Sequence, residues 1–231
     1  MIFGGLQQLS LIDYPGKICA IIFTVGCNFR CKFCYNKEIV LPELIKEHLN
    51  ISEEYILNFL KSRIGKLEAV CVTGGEPTLY PDLGDFLKKI KDLGFLIKLD
   101  SNGTNPGMLK KLINSGLIDY IAMDIKGPLD DEGYMKVVGV KTDIKKIKES
   151  VELVKTLNDY EFRTTVAPML GEEDILEIVD KISPAKKYFL QEFKLGYTLD
   201  EKYANMKGLG EEDLERIKEK IKDKFETVGV R

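Results

Sequence analysis

The chain has 231 residues, and its 34 lysines and arginines against 37 aspartates and glutamates give a formal net charge of −3. A composition of 44% hydrophobic and 31% charged residues at this length excludes disordered, collagenous and disulfide-stapled proteins, and is typical of one globular domain or two small ones. No signal-peptide pattern or membrane-length apolar run occurs, and acidic and basic residues are interleaved, so we expect a cytoplasmic protein with neither a membrane nor nucleic acid as partner.

Short apolar runs rich in β-branched residues alternate along the chain with segments of helical period. The runs predict six strands, at residues 18–25, 67–73, 95–100, 118–125, 162–166 and 187–193. The helical segments begin near Ser52, cover 82–93, 106–115 and 174–182, and include two amphipathic stripes, Ile144, Ile147, Val151 and Val154, and Leu214, Ile217, Ile221 and Phe225.

This alternation predicts a single α/β domain with a parallel six-stranded sheet and right-handed crossovers. Periodicity alone fits both an open doubly wound sheet and an incomplete barrel, and in either fold ligands gather at the carboxyl ends of the strands. Before the first strand, Leu6 to Asp13 and the turn Tyr14-Pro15-Gly16 predict a hairpin. We therefore divide the chain into a hairpin (1–17), a core (18–193) and a C-terminal extension (194–231).

The spacing of the cysteines indicates metal or redox chemistry. Five cysteines in a chain without an export signal argue against a disulfide framework. Cys27, Cys31 and Cys34 form a CxxxCxxC pattern of three thiols within eight residues. A structural zinc site needs four ligands, and an iron–sulfur cube bound by three cysteines would leave one iron open to a non-protein ligand. A fourth protein ligand would have to come from Cys19, Cys71 or His48.

Paired glycines follow the second predicted strand, in the segment Gly74-Gly75-Glu76-Pro77. Glycines at the carboxyl end of a strand let a ligand approach the backbone without meeting a Cβ atom. Taken alone, the segment is also an ordinary turn leading to a helix. Its position after the cysteine pattern favours a role in binding.

With these motifs the sequence resembles the radical S-adenosylmethionine (SAM) superfamily, and within it the activating enzymes of glycyl-radical proteins. The matched features are the three cysteines with Phe33 before the last of them, and the Gly-Gly-Glu-Pro segment. The segments 5–17 and 23–31 look most like the anaerobic ribonucleoside-triphosphate reductase activating proteins. The resemblance spans most of the chain.

The resemblance implies a [4Fe–4S] cluster on Cys27, Cys31 and Cys34, whose fourth iron is chelated by SAM. One-electron reduction would then cleave SAM to methionine and a 5′-deoxyadenosyl radical, chemistry that belongs to the cofactors rather than to side chains. Accordingly, no side chain is assigned as catalytic. The implied SAM contacts are Phe33, Cys34 and Tyr35 at the adenine, and Gly74, Gly75 and Glu76 at the methionyl amino group.

Two further strand ends resemble segments of the family. Asp100 and Ser101 follow the third predicted strand, and Asp124-Ile125-Lys126 ends the fourth. The resemblance implies that Asp124 and Lys126 contact the ribose or carboxylate of SAM, and that Asp100 acts through a bound monovalent cation. Arg163, on the fifth predicted strand, is a further donor that could reach the SAM carboxylate.

We predict an incomplete (βα)6 TIM-like barrel that is open at one side and admits a loop of another protein. The function implied is hydrogen abstraction from a glycine of a partner glycyl-radical enzyme, such as anaerobic ribonucleotide reductase, with flavodoxin or ferredoxin as electron donor. One alternative is a small-molecule substrate, such as a precursor of 7-carboxy-7-deazaguanine. A non-enzymatic alternative is a zinc-stapled binding protein.

Overall fold

The computed structural model describes residues 1–45 and 50–231. One sheet has eight strands, whose spatial order follows their order along the chain. The first two strands pair antiparallel, and each later strand joins its predecessor in parallel. The strands are β1 (Phe3–Tyr14), β2 (Lys17–Thr24), β3 (Ala69–Gly74), β4 (Leu96–Ser101), β5 (Tyr120–Asp124), β6 (Tyr160–Val166), β7 (Ala185–Glu192) and β8 (Phe225–Val230).

Helices connect successive parallel strands and cover one face of the sheet. The α-helices of the described residues are α1 (Lys37–Val40), α2 (Pro42–Ile45), α3 (Glu53–Ser62), α4 (Leu83–Asp92), α5 (Pro106–Asn114), α6 (Asp131–Val138), α7 (Ile144–Lys155), α8 (Glu172–Ile182) and α9 (Glu211–Ile221). Short 3-10 helices lie at Pro77–Leu79, Glu201–Asn205 and Lys222–Lys224.

The six predicted strands correspond to β2 through β7, and their ends agree to within two residues. Two helices begin where the sequence predicted. The Ser52 side chain accepts the backbone N–H of Tyr55 at the start of α3, and Pro106 occupies the first turn of α5. At the predicted hairpin turn, Gly16 has a φ of 71°, as the third position of a type II turn requires. Local pattern therefore identified the repeated strand–helix units.

The count of six strands was wrong, because the sheet continues at both ends. The predicted hairpin strand joins the sheet as β1, antiparallel to β2, and β8 adds an unpredicted parallel strand beyond β7. Phe225, predicted on the last helix, is the first residue of β8 and stacks on Tyr188 with ring centroids 5.1 Å apart. Its spacing from Ile221 fitted a helical stripe, but its burial comes from the sheet. The class, an incomplete α/β barrel with a parallel sheet, is confirmed.

The connection between β2 and β3 carries the cysteines and is not wholly irregular. It contains the short helices α1 and α2 before α3 begins at Glu53. The predicted candidate ligand His48 lies outside the described residues. No helix in the described ranges combines the length and the apolar composition needed to cross a bilayer.

The sheet has two chemically different faces. Ile22, Val70 and Val72 lie on the face that packs against the helices, in the main hydrophobic core. The opposite face, which we call the lumen face, carries Cys19 and Cys71 in a small apolar cluster near the amino ends of the strands. Because side chains alternate along a strand, the charged residues near the strands' carboxyl ends share this lumen face.

The sheet does not close into a barrel. Over residues 1–45 and 50–231, β1 pairs only with β2 and β8 pairs only with β7. The sheet is therefore open between the two edge strands, and the apolar lumen-face side chains near the amino ends of the strands are buried.

Candidate functional site

The cysteine loop, residues 26–36, begins directly after β2. Cys27, Cys31 and Cys34 are all unpaired and line one cavity at the carboxyl edge of the sheet. The backbone N–H of Phe29 points to the sulfur of Cys27, and that of Asn36 to the sulfur of Cys34, each at 3.4 Å. The loop thus orients its thiols with its own backbone.

Burial of these thiols disfavours their charged form. It raises the pKa of Cys27 to about 11 and that of Cys31 to about 12, although Lys126 acts in the opposite direction on both. At neutral pH the free thiols are therefore protonated, and metal binding has to release their protons.

Contacts from other elements hold the cysteine loop in place. Arg30 donates its backbone N–H to the Val138 carbonyl at 2.9 Å, and its guanidinium donates to the carbonyl of Cys27 at 2.7 Å. On the far side, Leu199 donates its backbone N–H to the Cys34 carbonyl at 2.9 Å. Segments before α7 and after β7 therefore clamp a loop that is distant from both in sequence.

The paired glycines are required first by the cysteine loop itself. A Cβ atom on Gly75 would lie 1.9 Å from the Gly26 carbonyl oxygen, and one on Gly74 would lie 2.5 Å from the backbone of Thr24. The N–H of Gly75 donates to Thr24, and that of Glu76 donates to Gly26. The two glycines make room for a neighbouring backbone and also line the cavity, so the predicted approach of a ligand to them stays a prediction.

Glu76 is 1% exposed, and its carboxylate is already hydrogen-bonded. Oε1 accepts the backbone N–H and hydroxyl of Thr78 and the hydroxyl of Ser101, and Oε2 accepts the backbone N–H of Asn102 at 2.6 Å. Burial raises the pKa of Glu76, and the four donors partly offset that effect. This carboxylate connects the loops after β3 and β4.

A charged group lies at the carboxyl ends of the middle strands. Arg163 donates to Asp124 at 2.8 Å and to Asp100 at 3.1 Å, so one guanidinium bridges two strand ends. Lys126 pairs with Asp124 at 3.0 Å, and Lys98 pairs with Asp100. Burial alone would raise the pKa of Asp124, but the charges of Arg163 and Lys126 outweigh it and hold that pKa well below its ordinary value.

Tyr35 forms one wall of the cavity and is 40% exposed. Its ring stacks on Phe193 with centroids 6.0 Å apart, and its hydroxyl accepts the backbone N–H of Lys194 at 2.7 Å. The segment that follows β7 is therefore attached to the cysteine loop and covers part of the site.

The structure brings all but two of the predicted site residues to this cavity. The side chain of Ile125 is fully buried in the helix-side core, and Arg163 does not line the cavity but donates to Asp100 and Asp124, which do. The predicted residues that line the cavity are Cys27, Cys31, Phe33, Cys34, Tyr35, Gly74, Gly75, Glu76, Asp100, Ser101, Asp124 and Lys126. Their roles as ligands stay predictions.

The sequence analysis did not identify several residues that line the cavity, because the sequence patterns around them were weak. Asn102 donates to Asn28 across the cavity rim at 2.9 Å, and Asn36 donates to the Gly74 carbonyl at 3.3 Å. Thr73 and Thr165 also line the cavity, each near the end of a strand. The Ser101-Asn102-Gly103 turn and the position of the threonines were the only available indications.

The two remaining cysteines lie within the sheet. Cys19 is five residues before the end of β2, a distance of about 16 Å along an extended strand. The Cys71 sulfur lies 3.7 Å from Asp100 and 3.8 Å from Lys98 on the lumen face, so its surroundings are more polar than its apolar strand suggested.

The donor set suits an iron–sulfur cube better than a single ion. Three thiols line one cavity, yet within residues 1–45 and 50–231 no three His, Cys, Asp or Glu side chains are arranged to hold one metal ion. In a cube each cysteine binds a different iron, so its thiolates need not meet at one point. The cavity beside them offers backbone groups, carboxylates and ammonium groups to a ligand of the remaining iron.

Comparisons with known proteins agree with this arrangement. Residues 21–182 match the radical SAM superfamily. The chain is 33% identical over 235 residues to a Methanocaldococcus jannaschii protein named as a candidate glycyl-radical enzyme activating enzyme, covering 98% of this chain and 94% of that protein. It is 29% identical over 161 residues to a Thermococcus kodakarensis protein named as a candidate GTP 3′,8-cyclase, covering 69% of this chain and 51% of the relative.

Among solved structures, Streptococcus suis SuiB bound to S-adenosylmethionine matches with a TM-score of 0.66 and 18% identity. The match covers 91% of this chain and 51% of SuiB, so the chain spans about half the length of that protein. This likeness concerns the fold. Family match, cysteine triad and cavity together show that the chain belongs to the radical SAM superfamily of iron–sulfur enzymes, whose cofactors are a [4Fe–4S] cluster and SAM.

Proposed function

We propose that this enzyme removes a hydrogen atom from a glycine residue of a partner glycyl-radical enzyme. The observation that carries the proposal is the match to the Methanocaldococcus jannaschii protein, which extends over nearly the full length of both chains. The relative named for a nucleotide reaction shares only about half its own length with this chain. Segments outside the shared half are where substrate recognition can differ.

When bound, the cluster and SAM supply a 5′-deoxyadenosyl radical after one-electron reduction. Cys27, Cys31 and Cys34 would hold the cluster on the loop that the segments of Val138 and Leu199 hold in place. Asp124, Lys126 and Arg163 would orient SAM, because their side chains line or support the cavity and are fixed by one another. Their mutual bonds leave little freedom for these groups to move when a ligand enters.

The open side of the sheet supports a polypeptide substrate. The edge strands β1 and β8 do not pair with each other, so a polypeptide could approach the sheet from that side. On β1, Leu9, Leu11 and Ile12 are exposed by 55%, 68% and 84%. Clustered exposed apolar side chains are typical of protein-contact surfaces. A partner that docks on β1 would stand next to the open side from which a glycine-bearing loop could approach.

The proposed partner is an anaerobic ribonucleotide reductase, following the likeness of segments 5–17 and 23–31. The test is anaerobic incubation of the reconstituted enzyme with SAM, a reductant and the purified reductase. We expect a glycyl-radical signal by electron paramagnetic resonance on the partner, which a partner variant with Ala in place of its radical glycine would not give.

A nucleotide substrate is the alternative outcome of the same experiment. If GTP raises the yield of 5′-deoxyadenosine and gives a modified nucleotide while every glycyl-radical partner stays silent, the proposal is wrong. Mass spectrometry of the small-molecule fraction separates the two results.

A further inference from the structure

The outer surface of the cysteine loop is basic. Cys31 and Phe33 are buried, whereas Lys32 between them is exposed and Arg30 is half-buried. Inward and outward side chains thus alternate along this segment. The three thiols line the cavity and Lys32 does not, and the Lys32 carbonyl accepts the backbone N–H of Asp200 at 2.9 Å.

Two surface clefts flank this loop and extend its positive charge. One is bordered by Asn28, Lys141 and Lys146, and the other by Arg30, Lys32 and Lys202. We call Arg30, Lys32, Lys141, Lys146 and Lys202 the basic rim. The acidic residues of the same clefts are Asp143, Asp200 and Glu201.

The rim departs from the charge of the whole chain. Five cations against three carboxylates give these clefts a net charge of +2, on a chain whose net charge is −3. Asp143 and Asp200 also accept backbone N–H groups, at the start of α7 and of the 3-10 helix at Glu201–Asn205. Their charge is therefore partly engaged by those helix ends.

Among the described residues the rim residues form no ion pair, in contrast to some, though not all, other surface lysines. In the part of the chain that the structure describes, none of the five forms a salt bridge, whereas Lys17, Lys88 and Lys91 pair with Glu68, Asp92 and Asp119. Unpaired cations on one face produce a positive field that attracts and orients an acidic protein. The four lysines of the rim therefore have charge available for a partner, whereas the Arg30 guanidinium also donates to the carbonyls of Cys27 and Phe29.

We propose that the basic rim is the docking surface for an acidic one-electron carrier protein that reduces the cluster. This inference rests on cluster binding by the three cysteines, as the proposed function does. In the step, the carrier loses one electron to the cluster, and no bond forms or breaks. Because electron transfer slows steeply with distance, a carrier should dock where chain separation is smallest, and Lys32 adjoins Cys31 directly.

Docking at the rim would leave the substrate path free. SAM contacts are predicted on the cavity side of the loop, and the sheet is open between β1 and β8. A carrier bound to the outer side could therefore act while SAM and the substrate are in place. A glycine-bearing partner, by contrast, has to reach the lumen face.

The test compares two double variants with the same change in charge. Lys141→Glu/Lys202→Glu alters the rim, and Lys61→Glu/Lys66→Glu alters exposed lysines at the amino edge of the sheet, which form no ion pair among the described residues. The probe is a reduced acidic flavodoxin at low ionic strength, and stopped-flow absorbance follows cluster reduction. We expect the second-order rate constant to fall at least about 10-fold in the rim variant and to stay within about twofold of the native value in the control.

Reduction by dithionite provides the reference rate for each variant, so a damaged cluster is recognised. Equal carrier-dependent rates in the two variants, after this correction, would overturn the proposal. It would also be overturned if the rim variant lost glycyl-radical formation with dithionite as the reductant, because the rim would then serve the protein substrate. Cluster reduction needs no substrate, so this test remains valid if the proposed function fails.

Discussion

The backbone N–H of Asn102 donates to the carboxylate of Glu76 at 2.6 Å and joins the loops after β3 and β4. Thr78 and Ser101 occupy the other carboxylate oxygen. Most of the hydrogen-bond accepting capacity of the Glu76 carboxylate is thus used within the protein, although the resemblance implied a contact with SAM. We infer that Glu76 acts mainly as a positioning residue, which fixes Gly75 and Ser101 relative to each other.

Glu76→Gln should destabilise the protein and weaken SAM binding together. The amide cannot accept on both sides, so its NH2 group would face an obligatory donor, either the N–H of Thr78 or the N–H of Asn102. Leaving such a buried group unsatisfied costs about 1–3 kcal/mol. Urea unfolding measures the free energy of unfolding, and calorimetric titration measures SAM affinity in the same preparation.

The matched control is Glu54→Gln, because Glu54 is exposed in the first turn of α3. A surface change of this kind should alter the free energy of unfolding by less than about 0.5 kcal/mol. If Glu76→Gln keeps native stability and loses only SAM affinity, Glu76 is a direct ligand, contrary to our inference.

Gly75→Ala should displace the cysteine loop. The new Cβ atom would lie 1.9 Å from the Gly26 carbonyl oxygen. That oxygen is a backbone atom, so it cannot turn away as a flexible side chain could. Either the loop moves or the fold is strained, and we expect the iron content after reconstitution to fall by more than half. Gly107→Ala in α5 is the control, since its Cβ would meet nothing closer than 3.7 Å. That variant should keep its iron and be at least as stable, because Ala is the better helix former.

Replacing any one of Cys27, Cys31 or Cys34 with Ala should remove the cluster and reductive SAM cleavage. Each thiol lines the cavity, and a cube with only two protein ligands is held weakly. Cys19→Ala is the control, because that cysteine lies on β2, away from the loop. Iron and sulfide analysis after anaerobic reconstitution measures the result. Equal iron loss in the Cys19 variant would show that the three-ligand assignment is wrong.

The sequence predicted the parts of this molecule that are local in the chain. Six strands and the cysteine pattern are continuous segments, so period and spacing identify them. Contacts between distant segments were not predicted, including Glu76 with Asn102 and Arg30 with Val138, because no local pattern specifies which loops meet. β8 was missed for a related reason, since Phe225 continued the apolar stripe of α9.

Ile125 shows the limit of transferring a motif residue by residue. It stands between two residues that line the cavity, Asp124 and Lys126. Alternation along the extended chain turns its side chain to the helix-side core, where it is fully buried. Only its backbone can face a ligand from that position, and its carbonyl already accepts the hydroxyl of Thr164 at 2.8 Å.

Arg163→Gln should destabilise the protein in a pH-dependent manner. Native Asp124 has a lowered pKa, so its contribution to stability is present above its unfolded pKa of about 4 and is lost as pH falls through and below that value. Without Arg163, Asp100 and Asp124 would be two largely buried carboxylates, each left with one lysine. The pKa values of these two carboxylates in the folded variant should rise above their values in the unfolded chain. The folded variant would then bind protons more tightly than its unfolded chain does.

The difference in unfolding free energy between native protein and Arg163→Gln should therefore be largest near neutral pH and shrink toward about pH 4. Breaking a buried ion pair costs about 3–5 kcal/mol, which sets the expected size at pH 7.5. Urea unfolding at several pH values measures it. A loss that is independent of pH would mean that Arg163 stabilises the sheet through packing alone.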